Sequence, residues 1–334
     1  MRPRTMQPDG AADLRATVAP VDASEAAFHW TGCRVGLLFN NKSGESKARD
    51  MAEGISEVVR GLGANVPDPA DCDADFAAQL ASLRERPPDV IVAIGGDGTA
   101  NAGAAVARAV DAALLIVPAG TMDLVAHDLR MPMEVPSILA AVPHLVEARI
   151  DCATVNGALF LHSSMLGIVP KLTRIRESMR EASSWIAWMG GAWSFVVSAA
   201  RATSFTVELE SEGGAVARRT RSLAVTCNAL VDAQPVQYHR ATLVGGRLGV
   251  YTATHTGPLA SVRVILSLAR ARLRSDREVD HWLCAMLRVR TRRRRVVVSN
   301  DGELVELSTP LEYAVVPEGV RVLVPGATPG GPPA

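Results

Sequence analysis

The chain has 334 residues, 48% of them hydrophobic and 21% charged, which is enough to bury sizeable cores and makes two domains the starting expectation. Its 35 Lys and Arg balance its 35 Asp and Glu, so no global field draws it to nucleic acid or to an anionic membrane. The five cysteines (Cys33, Cys72, Cys152, Cys227, Cys284) form no C-x-x-C pair and the histidines no H-E-x-x-H, which excludes a readable disulfide framework or zinc site and favours reduced, cytosolic thiols.

Residues 1–32 contain several arginines and prolines but no apolar signal-peptide core, and are expected to form a flexible tail. "RVGLLFN" (Arg34–Asn40) then reads as a short buried strand bounded by the polar cluster "NNKSGES". Helical spacing follows over Asp50–Leu62, with Met51, Ile55, Val58, Val59 and Leu62 on one side. A second helix over Asp75–Arg84 is stopped by "RPPD". "VIVAI" is the next strand, "GGDGT" a glycine loop, and Thr99–Val110 a helix of small residues. "ALLIVPAGT" is a third strand, followed by helices over Met122–Leu129 and Pro136–Val146. Strands alternating with helices through short loops predict a parallel α/β sheet, whose carboxyl edge is where such sheets bind ligands.

The pattern changes near Asp151. "RIDCATVNGALFLHSSMLGI" reads as strand, Asn156-Gly157 turn, strand, and a hairpin is expected around Gly213-Gly214. Apart from a helical stretch over Val169–Ala202, the rest is strand-like, which predicts a β-sandwich domain over 151–326 after an α/β domain over 33–150. The last segment is a candidate to return to the first domain, and 327–334 reads as a disordered tail.

"GGDGT" meets the needs of a phosphate site. Backbone N–H groups can converge there, glycines allow close approach, and a helix N-terminus follows. Asn101 stands where a dinucleotide fingerprint needs glycine, and no P-loop sequence occurs. The bland alternative is a tight βα turn without a ligand. Lys42, one of only three lysines, is either a phosphate contact or a solvated loop residue. "NDGE" at 300–303 is strong turn chemistry, and it also carries two carboxylates able to accept a proton. Trp185, Trp188 and Trp193 lie in an apolar stretch too short to span a bilayer, fit for a core helix or for one wall of an acyl-chain channel. Arg263–Arg295 is arginine-dense, which suits a solvated surface or contact with anionic headgroups.

Taken together, "FNNKSG" (Phe39–Gly44), "GGDGTAN" (Gly95–Asn101), "PAGTMDLVAHDLRMP" (Pro118–Pro132) and "NDGELVEL" resemble the diacylglycerol kinase catalytic-domain family, which includes bacterial lipid kinases and sphingosine kinases. The resemblance covers roughly Arg34 to Pro325. It implies an α/β nucleotide domain followed by a β-sandwich, with ATP and Mg²⁺ as cofactors and transfer to a lipid hydroxyl. It implies nucleotide contacts at Asn40, Lys42, Ser43, Gly44, Gly95, Gly96, Asp97, Gly98, Thr99, Asn101, Gly120 and Thr121. Catalysis falls to Asp301 and Glu303, with Asp97, and the choice of base among them stays open. The lipid entrance falls near Trp185, Trp188 and Trp193.

Asn41 replaces the usual proline of the first motif, and Asp123, Leu124 and His127 replace an asparagine, an aspartate and an arginine of the third. A family segment that carries a metal in some members appears as "GGRLG" (Gly245–Gly249) without its carboxylates, so no metal is expected there and the catalytic Mg²⁺ would arrive with ATP. The expected protein is cytoplasmic and peripheral at the inner face of the membrane, partnered by lipid and not by nucleic acid. Two other readings stand beside it: phosphorylation of a soluble acceptor, as in the NAD kinases that share "GGDGT", and a catalytically weak nucleotide or lipid sensor. The lipid itself is left open among diacylglycerol, a sphingoid base, ceramide, phosphatidylglycerol and a prenol.

Overall fold

The structure, a computed structural model, describes residues 23–39, 45–69, 72, 75–167, 204–234, 237–253 and 279–326. Asn40, Lys42, Ser43 and Gly44, the expected helix over Val169–Ala202 with its three tryptophans, and the tail at 327–334 lie outside the described residues. Packing divides the chain into two units. One holds residues 153–241 and 245–316, and the other holds 242–244 with the described residues before 153 and after 316.

The α/β unit runs β1 (Ala23–Ala27), β2 (Val35–Phe39), α1 (Glu45–Gly61), α2 (Phe76–Glu85), β3 (Val90–Gly95), α3 (Asp97–Val110), β4 (Ala113–Pro118), α4 (Leu124–Asp128), α5 (Val135–Ala141) and β5 (Leu145–Val155). β2, β3 and β4 pair in parallel, Val35 opposite Val90 and Val90 opposite Ala113. β2 and β4 are buried along their whole length, and β3 up to Ile94. That continuous burial is why these strands read as unbroken apolar runs and not as alternating ones. In α1, Met51, Ala52, Ile55 and Val59 form the buried stripe, while Arg49 and Glu53 pair on the outer side at 3.6 Å. Gln79 of α2 closes the carboxyl end of β2, accepting from Phe39 N–H at 3.0 Å and donating to Phe39 C=O at 3.1 Å.

Residues 23–32 are not wholly the flexible tail expected from their composition. β1 pairs antiparallel with β5, and Trp30 is 3% exposed with its indole N–H donating to Val142 C=O. Phe28 packs edge-to-face on Trp30. A large aromatic with a satisfied polar tip is reason enough to order the segment. The helix expected over Pro136–Val146 ends at Ala141 and tightens into a 3₁₀ turn through Val142–His144, because Pro143 cannot continue the α-helical bonding.

The second unit continues with β6 (Ala158–Phe160), β7 (Ser163–Gly167), β8 (Phe205–Ser211), β9 (Gly214–Thr220), β10 (Ser222–Cys227), β11 (Leu230–Gln234), β12 (Gln237–Arg240), β13 (Leu248–Ala253), β14 (Val279–Cys284), β15 (Met286–Thr291), β16 (Arg295–Asn300), β17 (Glu303–Ser308) and β18 (Leu311–Pro325). One antiparallel sheet has the order β14-β13-β10-β7-β16-β17; the other places β15 between β18 and β8, with β9 beyond. Alternate residues of β8 and β15 point inward, and Val207, Leu209, Leu287 and Val289 join Leu166, Leu223, Val225, Val250 and Val298 of the first sheet in one core. This is the sandwich expected from the strand-like second half. β18 serves twice: Leu311–Ala314 pairs antiparallel with β15, whereas Val322 pairs in parallel with Leu114 of β4.

Candidate active site

In the α/β unit the chain leaves β3 at Gly95 and enters α3 at Asp97, with Gly96 as the extended N-cap and no side chain capping the turn. The first N–H groups of a helix have no acceptor within it, so this turn presents donors that the helix itself does not pair, together with the positive end of the helix dipole, at the carboxyl edge of the sheet. Thr99 and Ala100 turn inward and are buried, which leaves Gly95 to Gly98 half-exposed above them. One turn on, the Oδ1 of Asn101 is buried without a hydrogen-bond donor.

The third motif folds against this loop. A Cβ on Gly120 would stand 2.5 Å from the Cα of Gly96, so the two backbones meet where only hydrogen fits. Gly120 and Thr121 remain exposed beside it. Asp123, at φ 46°, turns its carboxylate back to accept the Gly120 N–H at 3.0 and 3.1 Å. Asp97 in turn accepts the Val125 N–H at 3.2 Å, at the start of α4. The replacement of the family's asparagine by Asp123 therefore leaves a closed polar network behind the loop. Its signal in the sequence was a short carboxylate three residues after a glycine, an arrangement that bonds its own backbone. Asp97 thus ties the glycine loop to the third motif, while Asp123 closes the third loop on itself.

In the sandwich unit, Asp301 and Gly302 form the turn between β16 and β17. Asp301 is 8% exposed, and its carboxylate accepts three backbone N–H groups: Leu161 at 2.6 Å, His162 at 2.9 Å and Ser163 at 2.8 Å. Burial pushes this carboxyl up from its ordinary value, against the three donors and the His162 imidazole, which pull it down. On the far side of the same residue, the fully buried Arg240 donates to Leu161 C=O at 2.8 Å. Glu303, two residues on, is exposed, and its carboxylate has no partner among the described residues. The geometry thus separates the two acidic residues of "DGE", one locked into backbone and one open to solvent. Nothing in the spacing of the sequence pointed to Arg240, since a buried arginine carries no local signature.

At "GGRLG", a Cβ on Gly249 would stand 2.5 Å from Thr226 Oγ1 and 2.9 Å from Tyr251 Cε2, so the packing leaves no room for a side chain at that position. Among the described residues no group of three or more His, Cys, Asp or Glu is placed to hold a metal ion.

Residues 34–155 match the family model of the diacylglycerol kinase catalytic domain. Solved structures of three proteins from Bacillus anthracis str. Sterne share the fold. One, described as a diacylglycerol kinase, is 14% identical with a TM-score of 0.61 over 87% of this chain and 96% of its own. Two described as candidates for that activity are 18% and 16% identical, with TM-scores of 0.66 and 0.64 over 87% and 86% of this chain and 97% and 96% of theirs. The matched residues 34–155 carry the glycine-loop and Pro118–Pro132 motifs on which the resemblance to that family rests.

Proposed function

We propose that the protein transfers the γ-phosphoryl group of ATP to the hydroxyl of a diacylglycerol- or sphingoid-like lipid. The observation that carries this reading is the meeting of the Gly96 and Gly120 backbones at the uncapped start of α3, within a segment matched by a lipid-kinase family. A domain of that family implies ATP as donor. The residues fit it: the N–H groups of the Gly95–Thr99 loop receive phosphate oxygens, exposed Gly120 and Thr121 border the same site, and the buried acceptor of Asn101 awaits a donor. Mg²⁺ arriving with ATP would supply charge neutralisation at the phosphates. With Asp97 and Asp123 engaged in the loop network, the protein's contribution there is positioning.

An alcohol transfers its proton as phosphoryl transfer proceeds, and a carboxylate within reach accelerates this. Glu303 is the group we assign to it, because its carboxylate is open. Asp301, which holds Leu161, His162 and Ser163, is assigned to keeping that turn in place. Loop residues Asn40, Lys42, Ser43 and Gly44 complete the nucleotide contacts in this reading, and Trp185, Trp188 and Trp193 border the lipid.

The test is transfer of labelled γ-phosphate from ATP and Mg²⁺ into diacylglycerol, a sphingoid base, ceramide, phosphatidylglycerol and a prenol in neutral mixed micelles, with Glu303→Gln alongside. Label in one lipid that is lost in the variant supports the reading. Label only in a soluble acceptor, or ATP bound with no transfer at all, rejects it in favour of NAD kinase-like or sensor activity.

A further inference from the structure

On the outer face of the β18, β15, β8 and β9 sheet, charges are sorted along the strands. Arg288 lies between Glu312 and Glu210 and donates to Glu312 at 2.7 Å. Arg290 lies opposite Glu208. Past Thr291, the last paired residue of β15, Arg292, Arg293 and Arg294 form the turn into β16, and on β8 and β9 Thr206 lies opposite Arg219. Here the carboxylates run out. Arg219, Arg292, Arg293 and Arg294 are exposed, and none makes an ion pair with the described residues. Arg295 meets only Glu306, at 3.8 Å, with side chains 71% and 58% exposed.

The turn that carries three of these arginines is held firmly. Thr291 Oγ1 accepts the Arg293 N–H at 3.2 Å and donates to Arg293 C=O at 3.1 Å. Thr309 Oγ1 donates to the same carbonyl at 2.5 Å, and the Thr309 N–H donates to Arg294 C=O at 3.0 Å. Four backbone ties at a turn with no counter-charge preorganise a cationic edge on a chain whose net charge is zero.

We propose that this edge docks the protein on an anionic phospholipid surface. The inference rests on the lipid-kinase reading, since the acceptor of such an enzyme lies in a bilayer. Guanidinium groups bind phosphodiester oxygens in bidentate fashion and release little hydration in doing so. Each basic side chain near an anionic surface raises partition roughly fivefold, so the three turn arginines together supply roughly a hundredfold. The patch is separate from the chemistry: β16 runs from Arg295 to Asn300, about 17 Å at 3.4 Å per residue, before the Asp301 turn begins.

Co-sedimentation of the full chain with vesicles of phosphatidylcholine, alone or with phosphatidylglycerol, at low and high salt tests this. Arg292→Gln/Arg293→Gln/Arg294→Gln is expected to lose roughly a hundredfold in partition to anionic vesicles and to keep wild-type activity in neutral micelles. Arg219→Gln, on β9 beyond β8, is expected to lose roughly fivefold, and the paired Arg288→Gln very little. Equal binding by wild type and triple variant overturns the proposal. So does wild-type indifference to phosphatidylglycerol, or tighter binding to a nucleic-acid duplex than to anionic vesicles. The micelle assay decides the kinase reading by itself: transfer there without vesicle docking removes the surface and leaves the enzyme, whereas docking without transfer does the reverse.

Discussion

Asp301 and Arg240 grip the two ends of one residue. The carboxylate takes the N–H of Leu161 and the guanidinium takes its C=O, so two opposite buried charges are linked through a single stretch of backbone. Burying either charge alone would cost several kcal/mol, and together they fix the chain just ahead of β7.

Asp301→Asn puts an amide where three N–H donors converge. Its NH₂ cannot accept, so at least one buried donor loses its partner. The expected loss is about 2–3 kcal/mol of stability, seen as a lower urea midpoint, together with lower turnover. Glu303→Gln, at an exposed site, should leave that midpoint unchanged while turnover falls by about 10²–10⁴. An equal loss of turnover at unchanged stability in both variants would return the base role to Asp301.

Gly120→Ala adds a methyl group against the Gly96 backbone. The two loops would have to part, and nucleotide affinity measured by calorimetry is expected to fall by about tenfold or more. The clash is with backbone, so the thermal midpoint is expected to fall as well. Wild-type ATP affinity in this variant would remove the Gly96–Gly120 approach from the nucleotide site.

The pair Glu147–Arg321 joins β5 to β18 inside the α/β unit, with bonds of 2.8 and 2.9 Å. Hydrogen bonding from the guanidinium holds the Glu147 carboxyl below the usual carboxylate range. A carboxylate depressed in the folded state adds stability that is fully present above its unfolded value of about 4.3. That stability disappears as pH falls through the lower folded value. Glu147→Gln should therefore cost about 1 kcal/mol at neutral pH and nothing in strong acid. Urea titrations of both proteins at the two pH values check it; a constant difference would assign the effect to packing.

Burial pushes the Cys152 thiol up to about 11 and the Cys284 thiol up to about 12. Cys227 is also buried, while Cys33 and Cys72 are partly exposed. Since the thiolate is the reactive form, a disulfide reagent at mildly alkaline pH should titrate two thiols in the native protein and five after denaturation. Fast reaction at Cys152 or Cys284 would mean that the cores open readily.

What the sequence made legible was local. "VIVAI" before three glycines and a run of small residues specifies strand, loop and helix within twenty residues, and α3 differs only in beginning at Asp97, since Gly96 takes the cap. The succession of strand-like segments after Asp151 likewise announces the sandwich. What stayed hidden was contact across long separations. The three donors to Asp301 lie 138 to 140 residues away, so "NDGE" reads as a plain turn until the fold closes. Trp30 was hidden for the same reason, its anchor at Val142 being 112 residues distant.

The double pairing of β18 bears on how the protein is made. A ribosome releases the sheet of the α/β unit in instalments: β2, β3 and β4 emerge early, but their neighbour at Val322 comes some two hundred residues later. The nascent α/β segment must therefore wait with an open sheet edge, a state prone to mispairing and to recruitment of holding factors. Cutting the gene after residue 155 would make that waiting state permanent. The stretch that matches the family is thus expected to be a poor expression fragment, and the full chain the smallest unit worth purifying.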